Sequence, residues 1–202
     1  IKTFKYANEH FGKYPYPHYS IIQGGDGGME YPMATLITGH RTLKSLVSVS
    51  VHEAMHSWYQ GLLASNEALF AWMDEGFTCY ASNRIEKELF PEDFSDPHTG
   101  SYKGYKRIAT SDYEEPLCTH ADHFDTNWAY GTASYSKGVV ILDQLSHIVG
   151  QKVIDKSLKR YFDEWAYKHP NASNFKRIVE KESGIELDLS LIHISEPTRL
   201  WH

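Results

Sequence analysis

The stretch VHEAMHSWYQ, residues 51–60, places His52 and His56 four positions apart, with Glu53 directly after the first histidine. Residues four apart on an α-helix lie on one face, so both imidazoles can reach a single metal ion. Zinc accepts nitrogen and oxygen ligands, and a carboxylate beside such a pair is placed to act as a base. A core helix with two hydrogen-bonded histidines is the alternative, because the pattern alone is only moderately specific.

The segment AWMDEGFTCY, residues 71–80, supplies the candidate third ligand. Eighteen residues separate His56 from Glu75, which lies among large apolar side chains. Burying a carboxylate there is unfavourable unless it is paired or bound to a metal. A second helix folded back on the first would carry this group to the open side of the ion. The sequence therefore predicts one Zn²⁺ ion bound by His52, His56 and Glu75.

Three motifs together resemble the aminopeptidase-N family of gluzincin zinc metallopeptidases. The first is H-E-x-x-H, eighteen residues, then E-G-F. The second is GGMEYP, residues 27–32, which resembles the G-x-M-E-N exopeptidase motif of that family. The third is ASYSKGVVIL, residues 133–142, which resembles the segment with the family's catalytic tyrosine. The resemblance covers residues 1–188 and implies a zinc-dependent aminopeptidase that hydrolyses N-terminal residues from peptides.

The resemblance also implies catalytic roles for two side chains. Zinc would lower the pKa of a bound water molecule toward about 7. Glu53 would take a proton from that water as it attacks the peptide carbonyl, and would pass the proton to the leaving amine. Tyr135 would donate a hydrogen bond to the oxyanion that forms. Without the family context, a tyrosine on an amphipathic helix is more often part of the core.

Substrate binding is assigned by the same resemblance to Gly27, Gly28, Met29 and Glu30. Glu30 would accept the cationic α-amine of the substrate, which makes the reaction exopeptidic. The glycines would let the substrate backbone approach closely. An ordinary turn with an exposed glutamate is the alternative. Tyr31 stands where the family usually has Asn, which leaves the local pocket geometry open.

Two other features carry ligand-type side chains. Asp74 stands where the family often has Asn, and either orients a metal ligand or is solvated. The segment CTHADHFD suggests a second metal site at Cys118, His120 and His123. It contains no fourth ligand at a regular spacing, so solvated loop residues are the prediction there.

The patterning along the chain predicts an α+β fold, with a small N-terminal mixed sheet followed by a mainly helical body. The resemblance implies that this fold is thermolysin-like. A strand is predicted at 19–25, and one extended segment at 29–39 that is an edge strand because of Pro32. The helix that begins at Leu43 is apolar nearly all round, which predicts a central, buried helix. The other predicted helices are 1–12, 68–90, 101–111, 132–149, 151–169 and 173–183.

Composition and charge argue against nucleic-acid binding and against a membrane-spanning protein. The net charge of −6, with scattered Lys and Arg, argues against a nucleic-acid partner. No run of 18 apolar residues exists, so no membrane-spanning segment is expected. Two cysteines, Cys79 and Cys118, are expected to be thiols, and they do not indicate a compartment. Two other readings stay open: an epoxide-hydrolase-like relative, and a metal-free scaffold that uses the fold for binding.

The chain is expected to be a truncated catalytic domain at residues 1–188. It begins at Ile1 rather than Met. Its last segment, 189–202, starts with LSLIHISEPTR, which resembles the translation of a transposase adapter, so a non-native tail is expected. The resemblance implies a β-rich domain before this one and a helical domain after it as partners in the same chain.

Overall fold

The computed structural model describes residues 1–25 and 27–187, and it begins with a helix and a three-stranded sheet. These elements are α1 (Lys2–His10), β1 (Ser20–Gly24), β2 (Gly28–Tyr31) and β3 (Ala34–Thr38). The strand order is β1-β3-β2, with β1 parallel and β2 antiparallel to β3. The predicted small mixed sheet is therefore confirmed.

The segment at 29–39 forms two strands rather than the predicted one. The chain reverses at Pro32 and Met33, and Met33 adopts a left-handed φ of 59°. β2 lies at the edge of the sheet, while β3 is its central strand. Pro32 has no N–H to contribute to a ladder, so it occupies the turn instead of an edge strand.

The rest of the described chain is mainly helical, as predicted. The helices are α2 (Leu43–Met55), α3 (Ala71–Leu89), α4 (Thr99–Ala109), α5 (Asn127–Gly131), α6 (Gly138–Val149), α7 (Gln151–Trp165) and α8 (Ala172–Ser183). A kinked segment, Ser57–Leu62, follows α2, and a π-helical segment, Thr132–Lys137, joins α5 to α6. No helix in the described part of the chain is long and apolar enough to cross a membrane.

Helix α2 is buried only in its C-terminal half. Leu43 is 74% exposed and Leu46 is 39% exposed, whereas Val51 and Met55 are buried. The prediction of a helix buried throughout is wrong for the first two turns. Serines alternate with the apolar residues there, so the helix enters the core only where the histidines begin. The half of α2 that carries the metal-ligand candidates is the half held by packing.

Helix α3 begins three residues later than the predicted position 68. The Asn66 side chain accepts hydrogen bonds from the N–H groups of Ala68 and Leu69, which closes a separate turn before the helix. The helix ends at Leu89, before Pro91, as predicted. The predicted tail at 189–202 lies outside the described residues.

An aromatic-rich core lies between α2, α3, α6, α7 and α8. Phe77 of α3 stands at its centre, with ring contacts to Tyr59, Tyr161 and Phe175 at centroid distances of 5.2, 5.8 and 4.9 Å. Burial of such side chains contributes about 1.5–3 kcal/mol each. This packing fixes α3 in rotation about its axis, and therefore fixes where the residues before Phe77 point.

Candidate active site

Three ligand-type atoms from α2, its C-cap and α3 converge at one point. Nε2 of His52 lies 3.2 Å from Nε2 of His56, and both nitrogens lie 3.3 Å from Oε2 of Glu75. Ligands of a tetrahedral zinc ion, each at about 2.0–2.1 Å from the metal, are about 3.3–3.4 Å apart. Glu75 Oε2 is also buried and accepts no hydrogen bond within the described residues. The donor set and its spacing therefore fit Zn²⁺.

The reversal of the chain between α2 and α3 brings these atoms together. Tyr59 leaves the helical conformation and Gln60 adopts a φ of 81°. The helical path that starts with α2 therefore ends abruptly here. The link that follows is held by hydrogen bonds from the N–H groups of Tyr167 and His169 to the carbonyls of Leu62 and Leu63. α3 can then fold back along α2, as the sequence predicted for Glu75.

His56 has a buried partner on its other ring nitrogen. Nδ1 of His56 lies 2.6 Å from Oδ1 of Asp74 and 3.3 Å from the Thr78 hydroxyl. Burial lowers the pKa of His56, but the hydrogen bonds and negative charges of Asp74 and Glu75 outweigh it and raise the pKa to about 11. The site thus favours a positive charge at this ring, whether a proton or a metal ion. Asp74 is therefore buried against His56 rather than solvated.

Glu75 carries a stable negative charge despite its burial. Burial raises its pKa, but contacts with the imidazoles of His52 and His56 and with the Tyr135 hydroxyl lower it to about 2. An ionised carboxylate between two imidazoles is the form that binds a divalent cation. The charge needed for metal binding is therefore present over the whole ordinary pH range.

Glu53 lies beside the three ligand-type atoms rather than among them. Its side chain is buried, and its Oε2 accepts no hydrogen bond from the described residues. Burial raises the pKa of this carboxyl, while the nearby imidazoles of His52 and His56 oppose the rise. The Tyr19 hydroxyl donates to the backbone carbonyl of Glu53 at 3.2 Å, which anchors this part of α2. A raised pKa suits a group that must accept a proton and release it again.

Gly28 is required by the position of Glu53. A Cβ atom at Gly28 would lie 2.3 Å from Oε1 of Glu53 and 2.6 Å from Cγ2 of Val49. β2 therefore approaches α2 so closely that only glycine fits at this point. The family resemblance implies that this glycine lets the substrate approach, and the structure adds a second reason, the packing of Glu53 against β2.

Tyr135 lies on the π-helical segment Thr132–Lys137, where it faces the same site. Its hydroxyl donates to Oε1 of Glu75 at 2.5 Å. Burial, and then the charge of Glu75, raise the pKa of Tyr135, so its hydroxyl keeps its proton. Local π-helical turns often occur at functional sites because they reorient single side chains.

A glycine contact positions the helix of Tyr135. A Cβ atom at Gly76 would lie 2.8 Å from Cα of Gly138, so α3 and α6 touch backbone to backbone at this crossing. The crossing is one residue after Glu75 and three residues after Tyr135. The motif glycine Gly138 thus sets the distance between these two side chains.

Three of the four predicted substrate residues line a cavity of about 420 Å³. Gly28, Met29 and Glu30 line it together with the zinc-ligand candidates. A carboxylate oxygen of Glu30 lies within 4.8 Å of a carboxylate oxygen of Glu53 and of a ring nitrogen of His56. Gly27 does not line this cavity, and its carbonyl accepts hydrogen bonds from the N–H and hydroxyl of Thr38.

A second cavity of about 290 Å³ adjoins the first at Met29 and Glu30. Its lining includes Tyr31, which stands where the family motif usually has Asn. Tyr16 and Met33 also line it. Aromatic and apolar side chains line it together with two carboxylates, those of Glu30 and Glu67.

The chain matches the Peptidase family M1 domain over residues 1–195. It belongs to peptidase family M1. Among curated relatives, this M1 domain is 32% identical to aminopeptidase B of Rattus norvegicus over 181 residues, 82% of this chain and 27% of that protein. It is 28% identical to leukotriene A-4 hydrolase of Xenopus laevis over 193 residues, 88% of this chain and 31% of that protein. The chain thus spans less than a third of the length of these relatives.

Solved structures show the same fold. An M1 zinc metallopeptidase from Deinococcus radiodurans superposes on all of this M1 domain and 44% of its own chain, with a TM-score of 0.78 and 19% identity. A native yeast LTA4 hydrolase covers 92% of the domain and 33% of its own chain, with a TM-score of 0.75 and 24% identity. The thermolysin-like fold and the family predicted from the sequence are confirmed, and the family implies zinc as the metal.

Sequence reasoning missed some residues of this M1 site. Glu67 and Ala68 line the larger cavity, and Glu67 also lines the smaller one. They lie in the turn between α2 and α3, where no motif or periodicity marks them. Tyr19, which anchors Glu53, lies in a segment predicted only as a strand.

The structure does not bring Cys118, His120 and His123 together as a metal-ligand group among the described residues. Within the described residues, groups of three or more ligand-type side chains occur only around His56. Nδ1 of His120 instead accepts a hydrogen bond from the N–H of Asp122 and so caps the short helical turn that follows it. The two cysteines of the chain are thiols, as predicted.

Proposed function

We propose that this M1 domain catalyses zinc-dependent removal of N-terminal residues from peptides that carry a free α-amine. One observation carries the proposal: the nitrogens of His52 and His56 and an oxygen of Glu75 are mutually 3.2–3.3 Å apart. They lie in a cavity that also contains Glu53 and Tyr135. We assign one zinc ion to these three ligands. Peptide substrates follow from the groups that surround the ion.

The metal would supply Lewis acidity, which lowers the pKa of water and polarises a carbonyl. The Glu53 carboxylate takes the proton of the attacking water, since its unpartnered Oε2 faces no competing donor in the described chain. Burial then makes the protonated carboxyl stable enough to hold the proton until the leaving amine accepts it. Glu53 therefore acts as both base and acid in one turnover.

Tyr135 stabilises the developing oxyanion. Its hydroxyl stays protonated, and at rest it donates to Glu75 at 2.5 Å. Because this oxygen lies beside the metal site, a small rotation redirects the donor to an oxyanion next to Glu75. Removal of one such donor typically lowers kcat by about 10²- to 10³-fold.

Glu30 makes the reaction exopeptidic in this proposal. Its carboxylate lines the cavity on the β2 side, close to Glu53 and His56. A cationic α-amine bound there is held next to the base Glu53 and the zinc-ligand candidate His56. A blocked N-terminus loses this charge-assisted contact, which is worth about 1.5–3 kcal/mol.

Hydrolysis of a panel of aminoacyl anilides and their N-acetylated counterparts tests the proposal. We expect zinc-dependent turnover of the free compounds and none of the acetylated ones. Equal turnover of both sets would contradict the role of Glu30 and the exopeptidase assignment. Zinc binding at one ion per chain with no turnover of peptides or anilides would instead support the scaffold reading.

A further inference from the structure

We propose that Asp74 is a positioning residue for the metal site, which holds His56 in the orientation and tautomer that bind zinc. The inference rests on the proposed zinc site. Asp74 is adjacent to a ligand in sequence, but its side chain points to the opposite side of the neighbouring imidazole. Its Oδ1 lies 2.6 Å from Nδ1 of His56, the ring nitrogen that does not face the other ligands.

The geometry leaves the His56 ring one productive tautomer. If Nδ1 donates its proton to Asp74, the lone pair of Nε2 points at His52 and Glu75, where the metal would lie. A carboxylate partner at Nδ1 fixes the ring plane and makes the opposite nitrogen a stronger donor to a metal. Thr78 also contacts Nδ1, but at 3.3 Å and without charge.

Burial makes this contact hard to replace by solvent. The His56 and Asp74 side chains are only 1% and 5% exposed. Among the described residues, His56 is the ion-pair partner of Asp74. Asp74 lies in the first turn of α3, where the helix dipole stabilises a negative charge. The carboxylate is thus held in place by its helix and is directed at a single ring.

The two histidine ligands differ in the partner of the ring nitrogen that faces away from the metal site. Nδ1 of His52 faces the Cys79 sulfur at 3.7 Å, a weak neutral contact, on the more exposed side of the site. His56 is therefore the rigid member of the pair, and His52 is free to adjust. We infer that most of the preorganisation of the zinc site comes from the Asp74–His56 contact.

The test is the zinc affinity of variants, measured by competition with a chromophoric chelator. Asp74→Asn keeps the size and an acceptor oxygen but removes the charge, and Asp74→Ala removes both. We expect the zinc Kd to rise by about 10- to 100-fold, with the larger effect for alanine. Thr78→Val, which removes the weaker contact to the same nitrogen, should change Kd by less than about threefold on this reasoning.

A spectroscopic signature separates positioning from general stability. The visible absorption of the Co²⁺-loaded protein reports ligand geometry, and it should shift in Asp74→Asn even when the variant's thermal unfolding matches the parent. An unchanged Co²⁺ spectrum and a zinc Kd within threefold of the parent would overturn the inference. If Asp74→Ala does not fold, the isosteric Asp74→Asn decides. Failure of the parent itself to bind zinc would refute the proposed function instead.

Discussion

The Tyr135 hydroxyl donates a hydrogen bond to Oε1 of Glu75 at 2.5 Å, although the two residues are 60 positions apart in the chain. Glu75 turns its other oxygen, Oε2, toward His52 and His56. The carboxylate thus connects the candidate metal ligands on one side with the candidate oxyanion donor on the other. This connection depends on the close crossing of α3 and α6 at Gly76 and Gly138.

Replacement of this tyrosine should impair chemistry more than binding. Tyr135→Phe removes the donor while it keeps the ring, so we expect kcat to fall by about 10²- to 10³-fold with a smaller change in KM. Steady-state kinetics on an aminoacyl anilide measure both values. Tyr102→Phe is the matched control, because that hydroxyl bonds to Asp143 outside both cavities. A loss confined to KM would contradict the oxyanion role.

The base can be tested apart from the metal. Glu53→Gln keeps the shape of the side chain but cannot accept the proton, so we expect activity to fall by about 10²- to 10⁴-fold or more while zinc content is retained. Metal analysis and turnover are measured on the same preparation. Glu88→Gln, at an exposed position of α3, should behave like the parent. Near-normal turnover by the Glu53 variant would rule out its assignment as base.

Gly28 should tolerate no side chain. A methyl group there would lie 2.3 Å from Glu53 and must displace it, so Gly28→Ala should reduce kcat and cost about 1–3 kcal/mol in the free energy of unfolding. Gly25→Ala, where an added Cβ meets nothing within 4 Å, is the control. Denaturant unfolding and kinetics on both variants are the measurements. Equal behaviour of the two would show that β2 moves away from α2 freely.

A buried ion pair two residues after Tyr135 should be structurally important. The Lys137 side chain is 2% exposed and its Nζ lies 2.9 Å from Oε1 of Glu114. Lys137→Met leaves that carboxylate without its cation, so we expect a loss of about 3–5 kcal/mol in the free energy of unfolding. Lys44→Met breaks an exposed pair with Asp93 and should cost less than about 1 kcal/mol. Similar losses in both variants would refute this distinction.

The ligand set could be predicted from the sequence because local geometry fixes most of it. The helical repeat places His52 and His56 together, and an isolated carboxylate in an apolar helix needs a partner, which Glu75 finds at this site. Family motifs pointed to Tyr135 and Glu30. The three ligands required only short-range periodicity and the chemistry of single side chains, whereas Tyr135 and Glu30 required the family resemblance.

The parts that failed depend on contacts between distant segments. Pro32 was expected in an edge strand, but pairing of β2 with β3 places it in a turn. Leu43 and Leu46 look like core residues in a helical projection, yet no element of the described chain covers them fully. The partner of His56 was left open because only the rotation of α3 decides whether Asp74 faces its ring.

The most direct test of the account is an anomalous diffraction map of the zinc-loaded chain at the zinc absorption edge. It should show one strong peak at about 2.0–2.2 Å from Nε2 of His52, Nε2 of His56 and a carboxylate oxygen of Glu75. A zinc peak elsewhere, or a Glu75 carboxylate turned away from an ion bound by the histidines, would contradict it.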